Sequence, residues 1–306
     1  MIIGDDSHRY EVINGWGDLP PGLEFGTTHG VVEDADGRIY IHNTGAKTVI
    51  VFDSNGAYLD AWGEQYSLGA HGMHLQAENG REFLYLAVSK QNFVVKTSLD
   101  GDEVYRIETP DRPDIYDDEK PFVPTECAVA SNGDLYVADG YGQPWVHHYT
   151  GDAEYVRSFG GLGDGPGELN NPHGIMIDTR GDDELVLVSD RRNRRLQYFT
   201  LDGEHVRFVD HDLRLPCTTI QWQDEIYIPD LHSRLSVFDR HDDLVAHLGD
   251  WTDCWEREDW PNLPKDEWRP DKFSSPHDLH VDAAGNIYIA EWLPRIGGKV
   301  TKLVRV

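Results

Sequence analysis

The chain has 306 residues, 39% of them hydrophobic, and a formal net charge of −28 from 55 acidic against 27 basic side chains. That deficit of positive charge excludes a nucleic-acid footprint, which needs clustered Lys and Arg, and no apolar run approaches the roughly 20 residues of a membrane span. The opening Met1-Ile2-Ile3-Gly4 has neither region of a signal peptide, and Cys127, Cys217 and Cys254 form no CxxC pair, so a soluble cytoplasmic protein with reduced thiols is expected.

In chain order, Tyr10-Glu11-Val12-Ile13-Asn14-Gly15-Trp16-Gly17 first predicts a strand that ends on an aromatic–glycine pair. One unit then recurs six times, over about 25–63, 70–108, 124–160, 172–209, 216–249 and 276–306. Each copy opens with a short apolar strand and turns at an acidic–glycine pair such as Asp36-Gly37. A strand rich in Tyr, Ile, Leu and Val follows, then a polar loop and an aromatic strand. A second turn leads to a last strand that often ends in Trp-Gly, Phe-Gly or Leu-Gly. Six such repeats predict a single all-β domain over 1–306, a six-bladed β-propeller. The last copy stops after three strands. Residues 9–17 match the missing fourth, so the N-terminal strand is expected to complete the C-terminal blade and leave no open edge.

In a propeller the first strand of each blade lines the central channel. The residue opening that strand is His29, His71, Thr125, His173, Cys217 and His277 in the six copies. His71, His173 and His277 fall on alternate blades, roughly 120° apart in a six-bladed ring. Three imidazoles with an open fourth position are the ligand set of a catalytic zinc, and imidazole also suits other divalent transition metals. His29 is expected as a fourth ligand or a substrate contact. His74 and His280 lie three residues further on and are expected to pack within the blades.

The loops after the second strands share that face. Asp139-Gly140-Tyr141 and Asp190-Arg191 offer a phenol and a guanidinium near the ring, a base and the cation that would lower its pKa. Asp139 and Asp190 are expected to be turn formers. Two insertions, 108–123 and 250–275, are expected beside the site; the second carries Trp251, Trp255, Trp260 and Trp268 as candidate pocket walls. Glu126, just after the third ring position, is the carboxylate base that an alternative, hydrolytic chemistry would require.

The Pro-His-Gly opening, the Asp134-Leu135-Tyr136-Val137 second strand and the Gly-rich 160–171 linker resemble NHL-repeat propellers. Within these the chain resembles peptidyl-α-hydroxyglycine α-amidating lyase over nearly its whole length, most densely over 124–209 and 276–290. The resemblance implies zinc on His71, His173 and His277, a catalytic Tyr141 assisted by Arg191, and Asp278 as a ligand of a structural calcium. The family's first-blade arginine is replaced here by His29, which leaves the substrate open. The expected function is a zinc-dependent lyase of a small hydroxylated molecule, with no nucleic-acid or membrane partner. A metal-dependent hydrolase or isomerase of lactones or sugars, and a non-catalytic NHL binding module, are the alternatives.

Overall fold

The computed structural model describes residues 1–5 and 7–306, and the fold is an all-β, six-bladed β-propeller. Its strands divide into two compact units of three blades each.

One unit, Met1–Leu68 with Ile220–Val306, holds the first, fifth and sixth blades. The sixth is built from Pro276–Val281, Ile287–Glu291 and Lys299–Arg305. Tyr10–Asn14 runs antiparallel to Lys299–Arg305, with Val12 opposite Leu303, so the N-terminal strand completes the C-terminal blade as expected. Ile2–Ile3 adds a short fifth strand on Tyr10–Asn14. The other unit, Gly69–Thr219, holds the second, third and fourth blades, each four antiparallel strands in sequence order.

The repeat maps onto burial. Second strands carry the buried tyrosines Tyr40, Tyr85, Tyr136, Tyr227 and Tyr288. Buried phenols need partners, and Tyr40 donates to Asp34 at 2.9 Å and Tyr85 to Glu78 at 2.7 Å. Outer strands are largely exposed except for the apolar residue that ends them: Trp62, Ile107, Phe159, Val209 and Leu248 are all buried. The aromatic–glycine signature is thus the peg that fixes each outer strand to its blade. Many acidic residues close hairpins, as where Asp53 Oδ1 accepts the N–H groups of Asn55 and Ala57, an Asx-turn.

No helix among the described residues is long and apolar enough to cross a membrane. The 108–123 insertion is packed down: Ile115, Tyr116 and Phe122 are buried in one cluster with Val137 and Tyr149. In the 250–275 insertion, Trp260 and Trp268 donate their indole N–H groups to Ser274 O and Leu263 O, within the insertion itself. Trp255 stacks on His232 at 4.4 Å and 8°, and Trp251 faces Arg269.

Candidate functional site

The four ring histidines share a backbone device. Pairing of first and second strands slips between Thr28 and Gly30, between Ala70 and Met73, between Pro172 and Gly174, and between Pro276 and Asp278. His29, His71, His173 and His277 fall in these slips. A bulge turns one side chain out of the alternating pattern, here at the step where the sequence carries imidazole. Glu126–Val129 pairs without a slip, and Cys217 lies ahead of its blade's first strand, Ile220–Trp222.

The tautomers are fixed alike. Nδ1 faces a backbone carbonyl in every case: Thr27 O at 3.0 Å for His29, Thr125 O at 2.6 Å for His71, Cys217 O at 3.0 Å for His173 and His29 O at 3.2 Å for His277. A carbonyl only accepts, so Nδ1 carries the proton and the neutral ring keeps its lone pair on Nε2. All four rings are buried.

In the Gly69–Thr219 unit the structure brings His71, His173, Tyr141 and Arg191 together. Tyr141 Oη lies 3.1 Å from His71 Nε2 and 3.0 Å from His173 Nε2. The two rings stand 4.7 Å apart at 68°. A phenol has one proton, so it can satisfy one of those lone pairs and not both. Arg191 approaches the same oxygen through Nη2 at 3.5 Å, with its guanidinium 5.5 Å from the ring centre. Desolvation by the surrounding side chains raises the Tyr141 pKa although the residue is 45% exposed, and the Arg191 charge opposes that rise. Arg191 is oriented by Asn171, which accepts from Nε at 2.7 Å. Among the described residues it pairs with no carboxylate.

The loop carrying Tyr141 is tight. A Cβ at Gly140 would collide with Pro172 O, and one at Gly142 with Asp139 and Pro121 O, so glycine is required on both sides. Asn171 Nδ2 donates to Gly140 O, tying this loop to the residue that holds Arg191. Asp139 accepts N–H groups from Val123 at 2.7 Å, Gly142 at 3.1 Å and Gln143 at 2.7 Å, the turn-forming role expected. Asp190 likewise shapes its loop, and the arginine it pairs with is Arg195, at 2.7 Å. Beside Tyr141 opens a cleft of about 300 Å³ lined by Gln143, Asn170, Asn171 and Arg192 among others. Glu126 is buried, accepts the Cys127 N–H at 3.0 Å and lies against Gly72, next to His71.

In the other unit His29 and His277 face each other, ring centres 4.8 Å apart at 77°. Asp278, expected as a calcium ligand, is buried and accepts the Val31 N–H at 3.0 Å through Oδ2. His74 hydrogen-bonds Gln76 of its own strand at 3.3 Å, and His280 reaches Glu33 of the first blade at 3.4 Å. Sequence reasoning missed the slips and Tyr116, which joins Asp139 from the 108–123 insertion at 2.8 Å. The slips occur in all four histidine-bearing first strands, but imidazole does not set backbone register, so no residue type pointed to them.

No family model matches the chain. It is 29% identical over 204 residues to NHL repeat-containing protein 3 of Homo sapiens, across 63% of this chain and 57% of that protein. The Mus musculus protein of the same name is 29% identical over 181 residues, 56% of this chain and 51% of that one. The chain thus spans about half the length of the curated relatives it matches. A streptogramin B lyase structure has a TM-score of 0.66 at 12% identity, over 98% of this chain and 99% of that one. A catalytically inactive histidine-to-alanine variant of virginiamycin B lyase from Staphylococcus aureus, with quinupristin, has a TM-score of 0.62 at 11% identity, over 97% and 100%. At these identities the likeness to solved structures is one of fold.

Proposed function

We propose that the chain is a metal-dependent lyase acting on a small hydroxylated molecule, with His71 and His173 as metal donors and Tyr141 as the base. One observation carries the reading: two unprotonated Nε2 atoms converge on a single phenolic oxygen that a guanidinium also approaches. Imidazoles that give their other N–H to a backbone carbonyl are the usual metal-binding form, so these two would supply zinc or a similar divalent ion with two of its protein ligands. Such an ion would supply Lewis acidity toward a substrate oxygen and positive charge beside the phenol.

The residues then divide the work. Tyr141 Oη takes the proton of the substrate hydroxyl, and the O–H electron pair becomes the second bond of the new carbonyl. The adjacent carbon–nitrogen or carbon–oxygen bond breaks with its electrons on the leaving atom, which recovers the proton from Tyr141. Arg191 favours, by charge and by its N–H, the phenolate from which this cycle starts and to which it returns. The cleft of about 300 Å³ on the other side of Tyr141 is of small-molecule size, and its amide and guanidinium lining suits a polar ligand. The fold's occurrence in lyases agrees with this reading.

Turnover of a panel of hydroxylated amides, hydroxy acids and sugar-like compounds by the wild type and by Tyr141→Phe tests it. The phenylalanine variant should retain metal and lose about 10²–10⁴-fold in kcat. Unchanged turnover in Tyr141→Phe would remove the proposed base. Loss on Glu126→Gln alone would move the chemistry to metal-assisted hydrolysis.

A further inference from the structure

A single chain of hydrogen bonds runs from the outer strand of the third blade to the loop that carries Tyr141. Asp139 is fully buried and accepts from Tyr116 Oη at 2.8 Å besides its three loop N–H groups. Tyr116 Oη also lies 2.5 Å from His147 Nε2, and His147 Nδ1 lies 2.7 Å from Ser158 Oγ. Ser158 Oγ is 2.9 Å from Tyr155 Oη, to which Arg112 Nη1 donates.

Proton counting fixes every direction. An ionised carboxylate only accepts, so Tyr116 gives it the phenol proton. Tyr116 can then only accept from His147, which places the imidazole proton on Nε2. Nδ1 must accept from Ser158, Ser158 accepts from Tyr155, and Tyr155 accepts from Arg112. Burial first, and then the Arg112 charge, hold His147 neutral, its pKa pushed down to about 3, so one ring nitrogen stays free to accept.

From this geometry we infer that Tyr116 and His147 are positioning residues for Tyr141, acting through Asp139. The inference rests on the reading of Tyr141 as the base. Asp139 gathers the N–H groups of Gly142 and Gln143, just after Tyr141, and that of Val123, whose carbonyl accepts the Tyr141 N–H at 3.3 Å. Removing the donor that the 108–123 insertion supplies therefore loosens both supports of the Tyr141 backbone. Tyr116 from the insertion and Tyr149 from the blade's third strand act on Asp139 directly, and Arg112 and His147 act on Tyr116 in turn. Burial raises the Asp139 pKa to about 6, and the Tyr116 hydrogen bond is among the contacts that pull it back.

The test is a pH titration of the Gly142 and Gln143 amide resonances in the full-length protein, between about pH 4 and 8. It reads Asp139 without any substrate, so a protein with no lyase activity still answers it. The wild type should show a step that Tyr116→Phe moves upward by about 0.5–1 pH unit, the worth of one hydrogen bond, with faster hydrogen exchange at the Tyr141 amide. Ser158→Ala, on a half-buried outer-strand residue, leaves the core intact and should move the step in the same direction by less. A step at the same pH in Ser158→Ala and in any folded Tyr116→Phe protein would overturn the inference, because a packing role alone moves neither.

Discussion

The two histidine pairs use one device for two different settings. His71 and His173 in one unit, and His29 and His277 in the other, sit at equivalent slips with Nδ1 on a carbonyl. The first pair lies beside a phenol and a guanidinium, those of Tyr141 and Arg191. The loops after the second strands decide this: Gly140-Tyr141 and Arg191 follow the strands Leu135–Ala138 and Leu185–Asp190. In the other unit the corresponding loops begin Thr44-Gly45, Leu231-His232 and Trp292. A repeat can thus supply the same imidazole many times, while the chemistry depends on what one loop places beside it.

This contrast can be broken by mutation. With a turned-over substrate in hand, the largest effect belongs to Tyr141→Phe, followed by Arg191→Lys, which loses the planar fork and should cost roughly 10-fold or more in kcat. His29→Ala should cost less than either, and a loss as large as that of Tyr141→Phe would put the His29 pair in the reaction. Metal content sharpens the contrast further. His277→Ala tests the ligand role its repeat position predicts, and full retention of metal would confine the donors to the pair at Tyr141.

Stability effects come next. Phe159→Ala removes the peg of the third blade's outer strand and should cost about 3–5 kcal/mol in chemical denaturation. A cost below about 1 kcal/mol would mean that the outer strand is held by its hydrogen bonds alone. The smallest effect is on pH dependence. Asp139 has its folded pKa raised from its ordinary 3.8 to about 6, mainly by burial, so the folded state binds its proton more tightly than the unfolded one. Its contribution to stability is favourable below about pH 4 and is lost as pH rises through 6, a change of order 2–3 kcal/mol at most. Asp139→Asn should flatten that part of the stability–pH curve. An identical slope in the variant would assign it to other groups.

Much of this was legible in the sequence because it is periodic. The blades, the N-terminal strand that completes the last of them, and the ring position all repeat, and so does the buried aromatic that ends an outer strand, as at Trp62 and Phe159. The proximity of Tyr141, Arg191 and His173 followed from equivalent loops of neighbouring blades. What escaped was aperiodic. A slip at His71 or His173 is a competition between two backbone registers, and no residue type announces its outcome. Tyr116 reaches Asp139 across 23 residues of chain, from an insertion that stands outside the repeat. The tryptophans of 250–275 promised pocket walls by composition, and Trp268 does line a cleft of about 330 Å³ with Asn14, Arg269 and Lys299, while Trp260 and Trp268 give their N–H groups to the insertion's own carbonyls.

The central claim is that His71 and His173 hold a metal ion beside Tyr141, and elemental analysis of the purified full-length protein beside its His173→Ala variant tests it most directly. The account predicts about one divalent transition-metal ion per wild-type chain and its loss from a folded variant. Equal metal content in the two proteins, or none in the wild type after exposure to zinc, would contradict it.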